Sequence, residues 1–164
     1  MSMLPRVTEL TRERIAREFD DLGPDVCMAE IKADLRRHNP ELLDMASRWA
    51  GGSGEADRLM TEFGMFYRLL AAEAHAPLGV AELNPLPRVS MEVRDAIVDR
   101  INRTGGENFT WEAIGNLETV NPQLLQMAHG SASRRADYAR TMQGFALIHE
   151  AMLTQWKRDR AGQH

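Results

Sequence analysis

The chain has 164 residues, of which 43 % are apolar and 27 % are charged, a composition typical of a globular protein and too apolar for a disordered one. Its net charge of −4 disfavours general binding to nucleic acid, and its single cysteine excludes an internal disulfide and a zinc site built from cysteines. No apolar stretch is long enough to cross a membrane, and the first residues lack the apolar core of a signal peptide. We therefore expect a cytoplasmic protein with no membrane partner. The excess of arginine over lysine indicates a GC-rich bacterial genome.

Short motifs occur twice in the chain, 82 residues apart. Leu-Pro-Arg-Val at residues 4–7 recurs at 86–89, and Asn-Pro-x-Leu-Leu at residues 39–43 recurs at 121–125. The same offset needs no gap from Leu4 to Ala71, so chance is a poor explanation for it. The sequence therefore predicts an all-α protein formed by tandem duplication of a roughly 82-residue four-helix module. Two copies of one module are expected to pack with pseudo-two-fold symmetry.

A proline-containing segment joins the two modules. Its three prolines predict a stiff, non-helical connection, and its leucine and valine side chains indicate that it packs on the body of the protein. No alternation of apolar and polar residues indicates a strand. The predicted division is a first module at 1–74, the linker at 75–87 and a second module at 88–164.

Each module is predicted to begin with two helices. Helix one starts behind Thr8 in the first copy and behind Ser90 in the second, because both residues are good N-caps. A glycine ends it in each copy, where a left-handed residue is needed. Helix two then covers roughly residues 25–38, and its counterpart covers roughly residues 111–120 behind Thr110.

Helix three is predicted to start at the repeated Asn-Pro pair. Proline fits the first helical position, and Asn39 and Asn121 are expected to accept a backbone N–H from the start of this helix. Trp49 lies near the end of the first copy and is a candidate binding residue. His129 lies at a similar place in the second copy, where with Gln126 it could read base edges as in a helix-turn-helix.

Helix four is the longest and carries a heptad-like apolar seam that includes His149. Tyr67 occupies the matching position in the first copy. A core histidine with a satisfied hydrogen bond is the favoured interpretation. A pocket between Tyr67 and His149 that binds a small ligand or performs catalysis is the alternative.

Two charged pairs match between the copies, Glu30 with Glu112 and Arg58 with Arg140. We predict ion pairs that clamp helix two to helix four, Glu30 to Arg58 and Glu112 to Arg140. If the clamps do not form, the two arginines become candidates for contact with an acidic partner.

No catalytic or cofactor motif is legible. The glycines at 51–54 predict a helix connection, Cys27 a buried apolar position, and the histidines lack the spacing of metal ligands, so we expect no metal and no cofactor. By elimination the favoured function is a non-enzymatic adaptor or regulator that binds a protein partner. A DNA-binding regulator and a small-ligand binder or enzyme remain alternatives. The candidate binding residues are Tyr67, His149, Arg58, Arg140, Trp49 and His129.

Overall fold

The computed structural model describes residues 4–51, 55–75 and 86–161, and within them the chain forms eight α-helices and no strand. The expected all-α class is confirmed. Linker residues 76–85 and glycine-loop residues 52–54 lie outside the described residues. None of the helices in the described part is long and apolar enough to cross a membrane. The helices are α1 (Glu9–Leu22), α2 (Pro24–His38), α3 (Pro40–Gly51), α4 (Ala56–His75), α5 (Met91–Thr104), α6 (Gly106–Val120), α7 (Pro122–Ser133) and α8 (Tyr138–Ala161).

The helix bounds recur along the chain. The helices α5, α6 and α7 each begin and end 82 residues after α1, α2 and α3, and α8 begins 82 residues after α4. Residues that lie 82 positions apart are called counterparts below. The described residues up to 75 form the first half, and those from 86 onward form the second half.

The starts of α1 and α5 agree with the sequence. The Thr8 hydroxyl accepts the N–H of Thr11, and the Ser90 hydroxyl accepts the N–H of Val93, so both predicted N-caps are confirmed. These bonds satisfy backbone donors that an α-helix leaves without an internal partner.

A single glycine separates the first two helices of each half. Gly23 has φ 89° and Gly105 has φ 91°, a backbone conformation that favours glycine. Each glycine is both the C-cap of one helix and the N-cap of the next, so no connecting loop is needed. The predicted start of the sixth helix near residue 111 is therefore wrong. Thr110 lies inside α6, where its hydroxyl donates to the carbonyl oxygen of Gly106.

The two halves share one hydrophobic core, centred on α4 and α8. Phe63 and Phe145, which are counterparts, meet edge to face with ring centroids 4.8 Å apart, and Phe66 packs beside Phe145 at 5.3 Å. Edge-to-face contact is a favoured geometry for aromatic rings, and these rings are among the largest fully buried side chains.

Helix three of each half packs on helix four of the other half. Trp49 lies against Gly144, where an added Cβ would come within 2.7 Å of the Phe63 ring and still closer to the indole. Glycine is therefore required at position 144 by close packing. At the counterpart positions, Ser131 donates a hydrogen bond to Glu62. One contact joins a large and a small residue, and the other joins two polar ones.

The asparagines before α3 and α7 do not cap those helices, so the capping prediction is wrong. Asn121 Oδ1 accepts the N–H of Val7 at 2.8 Å, and its Nδ2 donates to the carbonyl oxygen of Pro5 at 2.7 Å. Asn39 makes the counterpart bonds, to the N–H of Val89 and the carbonyl oxygen of Pro87, each at 2.8 Å. The physical reason is that the segment before α1 or α5 is buried but not helical, so its backbone groups need partners. Each asparagine supplies them to the other half.

The predicted ion-pair clamps do not form. Arg58 pairs with Glu55 at 3.1 Å, one helical turn away. Glu112 pairs with Arg100 at 3.1 Å, because Arg100 also meets the buried Glu150 at 2.5 Å and so lies next to Glu112. Arg140 places its guanidinium over Trp49 instead.

An ion pair between helices one and four changes sign from one half to the other. Glu18 on α1 meets Arg68 on α4 at 3.4 Å in the first half. At the counterpart positions, Arg100 on α5 meets Glu150 on α8. The position of the pair is the same, but the acid and the base have exchanged places.

Candidate functional site

The predicted site residues fall into separate places. Trp49, His129 and Arg140 lie at or beside one surface groove of the second half. Tyr67 and His149 are both buried in the core. Arg58 lies exposed on α4 beside Glu55.

His149 is fully buried, with 0 % of its surface exposed. Neither ring nitrogen has a hydrogen-bond partner among the described residues, so its core position is confirmed but the expected hydrogen bond is not found. Burial lowers the pKa of His149 to about 4, and the neighbouring charge of Glu150 only partly opposes this. The imidazole is therefore neutral at pH 7.

Tyr67 borders a cavity of about 230 Å³ between α1, α2 and α4. Glu18, Glu30 and Arg68 also line it, and His149 does not, so the structure shows no shared pocket for Tyr67 and His149 there. Cys27 lies in the wall. Burial, followed by the charges of Glu18 and Glu30, raises the pKa of the Cys27 thiol, which keeps it protonated and weakly nucleophilic.

The largest concavity is a groove of about 1100 Å³ on the second half, which we call the α6 groove. Its floor and walls come from α6, α7 and the first turns of α8. Two of its large side chains are exposed, Trp111 by 68 % and Tyr138 by 42 %. Its lining residues are Gly106, Glu107, Thr110, Trp111, Ile114, Glu118, Leu125, His129, Asp137, Tyr138, Ala139, Arg140, Met142 and Gln143.

Hydrogen bonds and ring contacts hold the walls of the α6 groove in place. The His129 and Tyr138 rings stack with an interplanar angle of 11°, and the Tyr138 hydroxyl hydrogen-bonds His129 Nδ1. Gln143 Nε2 donates to the carbonyl oxygen of Gly106 at 3.0 Å and ties α8 to the start of α6. Asp137 Oδ1 accepts the N–H of Arg140 at the start of α8. The groove is therefore largely formed before any ligand arrives.

One face of α6 forms a straight line of residues along the α6 groove. Glu107, Trp111, Ile114 and Glu118 follow at intervals of four, three and four, which keeps them on one side of the helix. We call this line the α6 stripe. It has an apolar centre and a carboxylate at each end.

The first half has a smaller cavity, of about 470 Å³, at the counterpart position. Its lining residues are Asp25, Met28, Ala29, Lys32, Arg36, Asp57, Met60 and Thr61, and each is the counterpart of a residue that lines the α6 groove. Ala29 stands where the second half has Trp111, Lys32 where it has Ile114, and Arg36 where it has Glu118.

Sequence reasoning missed Trp111, Ile114 and the two glutamates of the α6 stripe. The available signal was a comparison of the two copies, because an alanine and a lysine of the first copy become large apolar residues in the second. The predicted late start of the sixth helix removed Glu107 from it and hid the regular spacing.

The DNA-reading residues named from the sequence already have partners in this fold. Gln126 accepts a hydrogen bond from Arg12 at 3.4 Å, and His129 is bonded to Tyr138. Within the described residues, no group of three His, Cys, Asp or Glu side chains is placed to hold a metal ion.

Comparison with known proteins gives no relative. No family model, no curated protein and no solved structure matches this chain. The function is therefore argued from the chemistry of the α6 groove.

Proposed function

We propose that this chain is a non-enzymatic helical adaptor that binds a partner protein in the α6 groove. We further propose that it arose by tandem duplication, with modules at residues 1–74 and 88–164 joined by a linker at 75–87 and packed with pseudo-two-fold symmetry. The matching helix bounds support the duplication. So do the exchanged asparagine bonds, in which each half serves the other.

The observation that carries the binding function is an exposed apolar centre present in one half only. Trp111 exposes 68 % of its surface, and its counterpart Ala29 is also exposed. The fold therefore does not need an indole at this position. Contiguous exposed apolar surface with a polar rim is typical of interaction sites, and aromatic anchors contribute most of the affinity of many interfaces.

The shape of the α6 groove favours a helical ligand. The α6 stripe runs along a straight helix, and the neighbouring helices α7 and α8 supply the other walls. An amphipathic helix laid along such a groove buries its apolar face against residues spaced as in the stripe. We therefore propose an amphipathic helical segment of a partner protein as the occupant.

The proposal is tested with a synthetic amphipathic peptide of roughly 18 residues, long enough to fold as a helix on binding, with leucine on one face and lysine on the other. Binding is measured by calorimetry with wild type, Trp111→Ala and a control, Leu10→Ala. Leu10 is 78 % exposed and does not line the α6 groove. We expect the Trp111 change to weaken binding about 30-fold, the loss of a strong anchor, and the control to change it little.

Equal affinity of wild type and Trp111→Ala would overturn the proposal. So would sedimentation data that show a dimer of this chain dissolved by the same change, because the occupant would then be a second copy. Folding of each variant is checked by its urea unfolding curve, which should move little because the indole is exposed.

A further inference from the structure

We infer that the segment bound in the α6 groove carries basic residues on both sides of an apolar centre, about eleven residues apart. This inference rests on the proposed function and adds the chemistry of the partner. It is drawn from the order of residues along the α6 stripe and from their charges.

The two carboxylates of the α6 stripe lie at opposite ends of α6. Glu107 and Glu118 are eleven residues apart, which is about 16.5 Å along the helix axis. Both are exposed, and within the described part of the chain neither forms an ion pair. Asp137 adds a third carboxylate to the rim. Arg140 also lines the groove, but its guanidinium lies over the Trp49 ring at 4.8 Å.

The spacing of the carboxylates sets the spacing of the partner's charges. A helix laid beside α6 has the same rise per residue, so two of its side chains eleven positions apart reach both glutamates. Those two side chains also lie on one face of the partner helix. The leucine-like residues between them would then meet Trp111 and Ile114.

The first half provides a comparison with the same geometry and different charges. Its stripe reads Asp25, Ala29, Lys32 and Arg36, so an acid lies at one end and two bases at the other. A helix with two basic ends would be attracted at one end and repelled at the other. The acid–apolar–acid order belongs to the second half, which makes the α6 groove selective for a basic helix.

The charges also argue against other occupants of the α6 groove. Two copies of this chain meeting through the same groove would place Glu107 and Glu118 against carboxylates of the second copy. A nucleic acid or an anionic lipid would meet the same three carboxylates, and like charges repel. A basic helical segment of another protein is the occupant that this surface complements.

The experiment uses two peptides with the same leucine face. One carries lysines eleven residues apart at the edge of that face, and the other carries glutamates there. The proteins are wild type, Trp111→Ala, the double reversal Glu107→Lys/Glu118→Lys and a matched reversal, Glu13→Lys/Asp20→Lys. The matched pair is exposed on α1 and changes the net charge equally.

We expect wild type to bind the lysine peptide about tenfold more tightly than the glutamate peptide at low salt, with the difference shrinking as salt is added. The Glu107/Glu118 reversal should invert this preference, and the matched reversal should preserve it. A lysine peptide with a spacing of seven should bind more weakly than the one with eleven, because it reaches only one glutamate.

The outcomes separate this inference from the proposed function. If Trp111→Ala weakens both peptides while the Glu107/Glu118 reversal leaves the preference unchanged, the partner chemistry is wrong and the docking site stands. If the matched reversal inverts the preference as well, net charge explains it and the inference also fails. If Trp111→Ala changes the binding of neither peptide, the proposed function itself is wrong.

Discussion

Replacement of Asn121 by alanine should destabilise the protein more than the loss of a helix cap would. The side chain is fully buried and makes two hydrogen bonds to the segment before α1, to the N–H of Val7 and the carbonyl oxygen of Pro5. Alanine removes both bonds and leaves two backbone groups of the other half without partners. Val7 is itself 1 % exposed, so water does not reach its N–H.

The size of the effect follows from these two groups. A buried backbone donor without a partner costs about 1–3 kcal/mol, and the partly buried carbonyl of Pro5 adds about 0.5–1 kcal/mol. We therefore expect a loss of about 2–4 kcal/mol in the free energy of unfolding. Loss of a helix cap would cost about 1 kcal/mol, so the two explanations predict different values.

The assay is urea unfolding combined with hydrogen exchange. Asn121→Ala should speed exchange at the Val7 amide, and Asn39→Ala should do the same at Val89, because each asparagine binds the other half. Asn102→Ala is the control, since Asn102 is exposed on α5 and its change should stay within about 0.5 kcal/mol.

A loss near 1 kcal/mol with unchanged exchange at Val7 would refute this reasoning. It would return Asn121 to the local role that the sequence predicts. Faster exchange in the first turn of α7, and not before α1, would lead to the same conclusion.

Two further predictions concern buried ionisable groups. His149 has a pKa of about 4 in the folded protein and about 6.5 when unfolded, so the unfolded state binds the proton first and stability should fall by about 2 kcal/mol from pH 7 to pH 5; urea unfolding of His149→Phe should lack this part, and an equal pH dependence would contradict it. Arg100→Met should cost about 3–5 kcal/mol because it strands Glu150, whose side chain is 5 % exposed, whereas Arg68→Met should cost about 0–1 kcal/mol because Glu18 is partly solvated. Similar losses in the two unfolding curves would show that burial does not set the difference.

Features that depend on neighbouring residues were predicted well from the sequence. The helical class follows from apolar spacing, and the N-caps at Thr8 and Ser90 follow from residue type and position. The glycines at the ends of α1 and α5 were also found, because positive φ is a local property. The start of α6 was placed too late because two consecutive glycines suggested a longer break.

Features that depend on distant residues were not predicted. Asn121 has the residue type of a cap, but its partner Val7 lies 114 positions away and becomes visible only when the halves are packed. Arg58 and Arg140 were assigned partners by conservation between the copies, while the fold offers Arg58 a nearer carboxylate and Arg140 an aromatic face. The α6 groove forms from three helices, so no single stretch of sequence announces it.

The contact of Trp49 with Gly144 has a consequence for how molecules of this chain exchange segments. If two first halves paired, Trp49 would face Glu62 and its indole would have no room. If two second halves paired, Ser131 would face Gly144 and leave a hole. Each half therefore rejects its own kind and accepts the other. A swapped dimer of this chain is restricted to a first half of one molecule seated on a second half of its neighbour.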